Sequence, residues 1–318
     1  MLGLQPMPVP PHVFAVGSEQ LRYGRFERAE GATDAGLEFA EYHSVELPSD
    51  CFIHGLVGGP VREISVLQQA VVQLLEQVSG PITDASLVMP DSWLRVVFTE
   101  MGELPSRRSG QDEIVRWKLK RMVPYRIDEL RTSHTEVRPL PNQEEPTRML
   151  VGLGVEALMH QLEESFEDRG VHLGVIANAS LSLLSGVSPA IAEDDLWVLA
   201  RSDGKAYTLV FVYRDEPVLF RHKALNGEVP ESALASIVRS DLNLTRTFLT
   251  DQFPDSELRR VVLFAPDEST DRWTDWLSSG LEAPVVTGQE ILPLDPGIPP
   301  DEWLHVVPMY GAACREIG

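Results

Sequence analysis

The 318-residue chain has few cysteines and little positive charge. Its two cysteines, Cys51 and Cys314, lie far apart and fit no metal-binding or redox spacing, which predicts reduced thiols in a cytosolic protein. No apolar run approaches the roughly 20 residues that a transmembrane helix needs, and the proline-rich start does not resemble a signal peptide. We therefore expect a soluble, intracellular protein that buries its core without disulfides or metal ions.

Acidic residues outnumber basic residues. The chain has 27 Lys and Arg residues against 48 Asp and Glu residues, a formal net charge of −21. This charge opposes binding to nucleic acid or anionic lipid, so we expect no nucleic-acid partner and only peripheral or partner-mediated membrane contact. The eight histidines form no HxH or HExxH spacing, and no serine lies in a G-x-S-x-G elbow. The sequence therefore predicts no metal site and no catalytic residue.

Strand-like and helix-like segments alternate along the chain, which predicts an α/β fold. The first part of this pattern comprises a hairpin at 13–24, strands at 37–47 and 51–57, a helix at 63–78 and strands at 85–90 and 93–99. It continues with a helix at 111–122, a strand at 148–153, a helix at 156–169, a strand at 172–176 and a helix at 178–185. The last part comprises strands at 196–200, 206–213 and 218–221, a helix at 232–250, a strand at 260–264, a helix at 271–277, a strand at 284–286 and a closing segment at 303–315.

The turn of the first hairpin contains Gly17 and Ser18, flanked by apolar runs. A glycine turn can offer backbone N–H groups to a phosphate because no side chain blocks the approach. Most Gly-Ser turns only reverse the chain, so this turn alone leaves both interpretations open.

Four segments, in this order, resemble the PilM family, the cytoplasmic actin-like component of type IV pilus assembly. They are LVMP at 87–90, EIVRWKLKRMVPY at 113–125, GVHL at 170–173 and GAACR at 311–315. The chain is also similar to the cytoplasmic part of GspL in type II secretion. The resemblance extends over 13–315. It implies an actin-like (ribonuclease H-like) two-lobe fold with an inserted α+β subdomain in the first lobe.

The resemblance also implies a division of the chain into lobes. The first lobe is expected at 12–86, the inserted PilM-like subdomain at 87–176, a return to the first lobe at 177–192 and the second lobe at 193–318.

In nucleotide-using members of this fold, an aspartate two positions before the first turn's glycine holds hydrated magnesium, and the matching residue here is Ala15. A methyl group cannot orient a magnesium shell. The second hairpin lacks the usual Asp-x-Gly near its start, since Asp203 lies in an ordinary turn. The adenosine-side loop has Ala265 and Pro266 in place of paired glycines. The resemblance thus predicts degenerate nucleotide loops at Ala15, Gly17, Ser18, Asp203, Ala265 and Pro266.

These loops predict a pseudo-ATPase without a cofactor, in which ATP and magnesium are not favoured. The alternative is a nucleotide-binding ATPase or kinase that uses unconventional loops, with Arg201 or Lys205 supplying charge to a phosphate rather than acting as solvated turn residues. A self-assembling actin-like protein is a third hypothesis.

Residues 107–131 carry eight basic and four acidic side chains, a local surplus of positive charge in an acidic protein. A solvated helix explains this segment, and Trp117 also suits a core position. The alternative is docking to the inner leaflet or to an acidic partner segment, because aromatic and arginine residues are typical interface anchors. In PilM-like proteins, the inserted subdomain helps to form a groove for the short cytoplasmic N-terminal peptide of PilN. The resemblance therefore predicts partner-binding residues at Met89, Pro90, Trp93, Trp117, Arg121 and Tyr125.

The combined expectation is a non-catalytic cytoplasmic scaffold of a type IV pilus or type II secretion platform. Its expected partner is a PilN-like bitopic inner-membrane protein, through which it lies peripheral to the inner membrane. A pilus or secretion ATPase and a second copy of the chain are further candidate partners.

Overall fold

The computed structural model describes residues 10–28, 37–53, 61–102, 104–123, 126–141, 147–191, 195–225, 231–292, 298–299 and 302–314. Its strands are β1 His12–Val16, β2 Gln20–Arg28, β3 Leu37–Glu46, β4 Asp84–Met89, β5 Arg95–Met101, β6 Leu130–Val137, β7 Thr147–Val155, β8 His172–Asn178, β9 Leu196–Ser202, β10 Ala206–Tyr213, β11 Glu216–Ala224, β12 Arg260–Phe264 and β13 Val285–Thr287. Its helices are α1 Ile64–Leu75, α2 Arg108–Leu119, α3 Glu156–Glu167, α4 Ala179–Val187, α5 Glu231–Gln252, α6 Asp267–Leu281, α7 Gly288–Ile291 and α8 Trp303–Ala313.

The chain divides into two compact units. Unit 1 comprises Met1–Leu94, Gly154–Pro189 and Leu294–Gly318. Unit 2 comprises Arg95–Leu153 and Ala190–Pro293.

Unit 1 is built on a five-stranded sheet in the order β3-β2-β1-β4-β8. The hairpin pairs β1 with β2 antiparallel, and β4 and β8 extend the sheet in parallel. Since successive side chains of a strand point to opposite faces, β1 serves two cores. Phe14 packs in the cluster that contains α1 and α3, whereas Val13 and Ala15 pack in the cluster that contains α4 and α8. The central strands are therefore covered on both faces.

Unit 2 repeats this topology in a second five-stranded sheet, in the order β11-β10-β9-β12-β13. The first three strands form an antiparallel meander, and β12 and β13 add in parallel. A separate three-stranded sheet, β5-β7-β6, belongs to the same unit. Buried Arg148 of β7 lies 4.5 Å over the Phe98 ring and donates a hydrogen bond to the Val218 carbonyl of β11.

The bounds expected for the lobes need correction. The proposed insertion at 87–176 includes most of β4 and β8, yet both strands pair within the first sheet, and α3 buries Leu158, Leu162 and Phe166 in its core. The segment outside that sheet is Arg95–Leu153. The proposed second lobe at 193–318 includes α8, which belongs to unit 1 because Val306 and Met309 pack in the cluster of Val13 and Ala15.

Most predicted elements are present, but strand β6 and the short helix α7 were not predicted, and the closing segment at 303–315 contains the helix α8. Strand β6 has the sequence LRTSHTEV, whose polar residues gave no strand signal. Gly170 closes the turn after α3 at a φ of 78°, a conformation that favours glycine. Of the strand expected at 51–57, Phe52 forms an isolated bridge with Val61, and residues 54–57 lie outside the described residues.

Candidate functional site

The turn between β1 and β2 has the predicted hairpin geometry. The Gly17 amide donates to the Gln20 carbonyl at 2.8 Å. Gly17 and Ser18 are half-buried. A Cβ added to Gly17 would lie 3.6 Å from a terminal nitrogen of Arg22, so this guanidinium lies beside the turn.

Ala15, where a magnesium-binding carboxylate was expected in nucleotide-using proteins, is buried in an apolar cluster. Its exposed fraction is 8%, and the cluster includes Val88, Ala179, Val306 and Met309. A carboxylate at this position would lose hydration to these apolar neighbours. The methyl group instead serves packing between the sheet and the helices α4 and α8.

Arg22 lies directly opposite Ala15 in the β1–β2 pair, and therefore on the same face of the sheet. Its Nε donates to Oε2 of Glu302 at 2.7 Å, and the Tyr42 hydroxyl donates to the same oxygen at 2.6 Å. Burial opposes ionisation of Glu302, but the hydrogen bonds from Arg22 and Tyr42 outweigh it and hold the pKa of this carboxyl below its ordinary value. The chain's own carboxylate thus neutralises the cation beside the turn, and a phosphate would have to compete with it.

The β9–β10 hairpin of unit 2 uses its aspartate to close its own turn. Asp203 Oδ1 accepts hydrogen bonds from the amides of Lys205 and Ala206 at 2.9 and 2.8 Å. Gly204 follows at a φ of 81°. This is an ordinary Asx-type turn, as the sequence indicated. Arg201 is half-buried in β9, and Lys205 is exposed.

The loop after β12 is filled by side chains and by local hydrogen bonds. The Pro266 carbonyl accepts from the Ser269 amide at 2.9 Å and from the Thr270 hydroxyl at 3.1 Å as α6 begins. The Phe264 ring is fully buried, and a Cβ on Gly288 would lie 2.3 Å from it. Only glycine at 288 accommodates this close contact. Ala265 is itself 7% exposed.

The residues predicted to bind a partner do not form one surface. Met89 and Trp93 are 1% and 6% exposed, and Trp93 packs on Phe52 with ring centroids 4.5 Å apart. Pro90 is half-buried, and its carbonyl accepts from the Trp93 amide. Met89 and Trp93 are therefore core residues of unit 1, since both lie in the cluster that contains α1 and α3. Direct partner contact by these two side chains was a wrong prediction, and Tyr125 lies outside the described residues.

Trp117 and Arg121 are brought together on the surface of unit 2. Trp117 is 62% exposed, and the Arg121 guanidinium carbon lies 5.7 Å from its ring centroid, a cation–π contact. Helix α2 packs through Val115 and Leu119 instead. The interpretation of Trp117 as a core residue was therefore wrong.

Some basic residues near α2 are already engaged. Arg116 donates to the Ile127 carbonyl at 2.9 Å, and Lys118 donates to the Glu100 carbonyl. Arg126 pairs with Glu129 at 3.0 Å. Lys120 and Arg121 remain exposed beside Trp117. The charge surplus is thus partly structural and partly available at the end of α2.

Two buried carboxylates were not predicted from the sequence. Asp91 is 5% exposed and accepts from the amide and the hydroxyl of Ser180 at 2.9 and 2.6 Å. This contact joins two parts of unit 1. Asp91 comes just before Arg95–Leu153, the segment that belongs to unit 2, and Ser180 of α4 comes after that segment. A lone aspartate after LVMP gave no signal for this contact.

The second is Asp241, which points from α5 toward the second sheet. It accepts from the Tyr207 hydroxyl at 2.7 Å and from Arg221, with Lys223 Nζ at 3.7 Å. Its 6% exposure and these partners identify a structural contact. Its place among the apolar positions Val238 and Leu242 could have indicated burial.

Within the described ranges, no group of three or more His, Cys, Asp or Glu side chains could hold a metal ion. None of the helices in the part of the chain that the structure describes has the length and apolar composition needed to cross a membrane.

No protein-family model and no curated protein sequence matches the chain. Solved structures do match and identify the fold. A Bacteroides thetaiotaomicron protein, described as having an actin-like ATPase fold and unknown function, matches with a TM-score of 0.55 and 8% identity over 96% of this chain and 95% of that chain. The fold is thus the expected actin-like one.

A PilM–PilN type IV pilus biogenesis complex matches with a TM-score of 0.70 and 16% identity, covering 96% of this chain and 97% of that chain. A more remote match, with a TM-score of 0.48 and 9% identity over 96% of this chain and 95% of that chain, is the cytoplasmic domain of EpsL, an inner-membrane component of the Vibrio cholerae type II secretion system. The predicted resemblance to PilM is confirmed at the level of the fold.

Proposed function

We propose that the chain is a non-catalytic scaffold of a pilus or secretion platform, which binds the cytoplasmic N-terminal segment of a PilN-like bitopic membrane protein. The observation that carries this proposal is the fold likeness to the PilM–PilN complex over 96% of the chain. Such a scaffold would work in the cytoplasm and reach the inner membrane through its partner.

The three nucleotide loops support the non-catalytic part of the proposal. Ala15 offers no carboxylate that could hold magnesium, and the buried Phe264 ring packs against Gly288. Arg22, the cation beside the first turn, is bound by Glu302. The absence of a carboxylate at Ala15 and the engagement of Arg22 disfavour two requirements of ATP chemistry, a metal ligand and a free cation beside the phosphates.

The exposed pair of Trp117 and Arg121 is the best candidate for the partner contact among the predicted residues. A large aromatic ring stacked with a guanidinium offers apolar area and directed hydrogen bonds at once, which is typical of residues that dominate binding energy. Lys120 beside them adds a charge that can select the partner's sequence.

The partner proposal is tested by calorimetric titration of the full chain with a synthetic N-terminal segment of a PilN-like protein, using a scrambled peptide as the reference. We expect saturable binding of the native peptide alone. Trp117→Ala should weaken it at least about tenfold, as expected for an anchor residue. Arg108→Ala, an exposed change at the other end of α2, is the matched control. Absence of binding at high micromolar peptide would contradict the proposal.

The non-catalytic proposal has a separate test. Titration with ATP and magnesium should give no saturable heat, and no phosphate should be released on prolonged incubation. Magnesium-dependent ATP binding would favour the alternative of an ATPase or kinase with unconventional loops, whatever the peptide result.

A further inference from the structure

The contact of Arg22 with Glu302 has the form of an occupied anion site. The Arg22 guanidinium of β2 and the Tyr42 hydroxyl of the neighbouring strand β3 donate to the same oxygen of Glu302, at 2.7 and 2.6 Å. A guanidinium and a hydroxyl that converge on one oxygen can bind any small oxyanion, carboxylate and phosphate alike. Here the residue that precedes α8 supplies the oxyanion.

Arg22 depends on this single carboxylate for its counter-charge. The residues that pair with Arg22 in the two neighbouring strands are Ala15 and Ser44, neither of which is charged. Glu302 is the one ionic partner of Arg22 in the described part of the chain. The Arg22 and Glu302 side chains are only 9% and 16% exposed. Loss of the carboxylate would therefore leave a poorly hydrated cation that favours uptake of another anion.

The β1–β2 turn leaves space beside the guanidinium. Glu302 engages Nε of Arg22, whereas a terminal nitrogen of Arg22 lies 3.6 Å from where a Cβ on Gly17 would stand. In the described part of the chain, the only other non-adjacent atom within 4 Å of that position is the Gln20 carbonyl oxygen, at 3.5 Å. A group of methyl size thus fits there in ordinary contact. This space could hold an oxygen of a tetrahedral anion, which is larger than a carboxylate.

The carboxylate can leave without unpacking α8. This helix is held against the first sheet by Val306 and Met309, which lie in the cluster of Val13 and Ala15. Glu302 precedes these contacts and has three rotatable side-chain bonds. Rotation of the side chain alone can therefore expose Arg22 to an anion from solvent.

We propose that Glu302 is an autoinhibitory plug in an anion site formed by Arg22 and Tyr42 beside Gly17, and that inorganic phosphate occupies this site once the carboxylate is withdrawn. The chain then retains the cation and the hydroxyl of an anion site and closes that site with its own side chain. The proposal goes beyond the scaffold function, since peptide binding at Trp117 neither requires nor excludes it.

Thermal unfolding of the full chain tests the plug. Wild type, Glu302→Ala and Glu46→Ala are compared in about 20 mM sodium phosphate and in sodium chloride of equal ionic strength, which separates binding from the general effect of salt. Glu302→Ala should melt about 3 °C higher in phosphate than in chloride, because phosphate at roughly tenfold excess over its dissociation constant restores a counter-charge to Arg22. Wild type and the exposed control Glu46→Ala, which keep the plug, should differ by less than about 1 °C between the two salts.

Two further variants assign the response to this site. Glu302→Ala combined with Arg22→Met should lose the phosphate-specific rise, because no cation remains. Glu302→Gln keeps the size of the side chain and removes its charge, so it should show a smaller rise in the same direction even if the alanine variant does not fold.

Three results would overturn the proposal. They are equal melting temperatures in phosphate and chloride for the folded Glu302 variants, a phosphate-specific rise in wild type as large as that in Glu302→Ala, and a rise that persists without Arg22. Failure of the peptide titration would leave each of these comparisons unchanged, so the two proposals can fail separately.

Discussion

At the scale of single residues, a substitution of the buried Asp241 tests how much its charged contacts stabilise unit 2. Asp241→Asn keeps an acceptor for Tyr207 but removes the charge that Arg221 pairs with. We expect the free energy of unfolding to fall by about 1.5 to 3 kcal/mol, the range for hydrogen bonds to charged groups. Urea denaturation measures this loss. Asp251→Asn, an exposed change on the same helix, should alter it by less than about 0.5 kcal/mol.

The same residue predicts a pH dependence. Burial opposes ionisation of Asp241, but the hydrogen bonds from Tyr207 and Arg221 outweigh it, so the folded-state pKa is lowered. The contribution of this charge is therefore complete above the unfolded-state pKa of about 3.9 and is lost as the pH falls through the lower folded-state value. The stability difference between wild type and Asp241→Asn should thus shrink in acid. A constant difference down to pH 2 would indicate that the charge is not involved.

Glu302 gives a second prediction at this scale, in unit 1. Glu302→Gln leaves Arg22 buried without its counter-charge and should lower the free energy of unfolding by about 1.5 to 3 kcal/mol. Glu46→Gln, an exposed change on β3, is the matched control. Equal effects of the two changes in urea denaturation would show that the Arg22–Glu302 contact contributes nothing.

At the scale of elements, the contact between α4 and α8 depends on glycine. A Cβ on Gly311 would lie 2.1 Å from the Ser182 carbonyl oxygen, and this backbone atom cannot rotate aside. Gly311→Ala should therefore lower the free energy of unfolding by about 1 to 3 kcal/mol, the usual range for overpacking. Gly174→Ala on β8 meets nothing within 4 Å and should be neutral or slightly stabilising. Denaturation curves of both variants give the comparison, and a neutral Gly311→Ala would exclude the tight contact.

The elements also show what the sequence could establish. The spacing of Leu67, Val71 and Leu74 predicted α1, and all three are buried. Strand β6 was missed because its side chains are polar and its order comes from pairing within a sheet. Periodicity identifies a helix but does not say which side meets a neighbour, so Trp117 could be assigned to the wrong face of α2.

The candidate site shows the same limit over longer distances. The prediction for Ala15 came from the resemblance, which aligns this residue with the aspartate of nucleotide-using members of the fold. The Arg22–Glu302 contact could not be predicted, because its partners are 280 residues apart and no local pattern joins them. Met89 and Trp93 were misassigned for a related reason, since their burial depends on a core to which residues distant in sequence, such as those of α3, contribute.

At the scale of the whole molecule, the dominant feature is the net charge of −21. Raising NaCl from about 10 to about 100 mM shortens the Debye length from about 30 to about 10 Å, which weakens repulsion among exposed carboxylates. The buried pairs Arg22–Glu302 and Arg221–Asp241 are screened much less. We therefore expect salt to stabilise the chain, with a rise in melting temperature of roughly 2 to 4 °C for each kcal/mol gained.

Thermal unfolding followed by circular dichroism at several NaCl concentrations measures this effect, with sucrose of equal osmolality as the uncharged control. The sign of the change in melting temperature is informative. Salt weakens both the repulsion among carboxylates and the attraction within exposed ion pairs, and these two losses have opposite effects on stability. If long-range repulsion dominates, the melting temperature rises with salt. If exposed pairs such as Arg25–Glu27 dominate instead, salt lowers the melting temperature, and the acidic surface would then be organised locally rather than as a uniform repulsive charge.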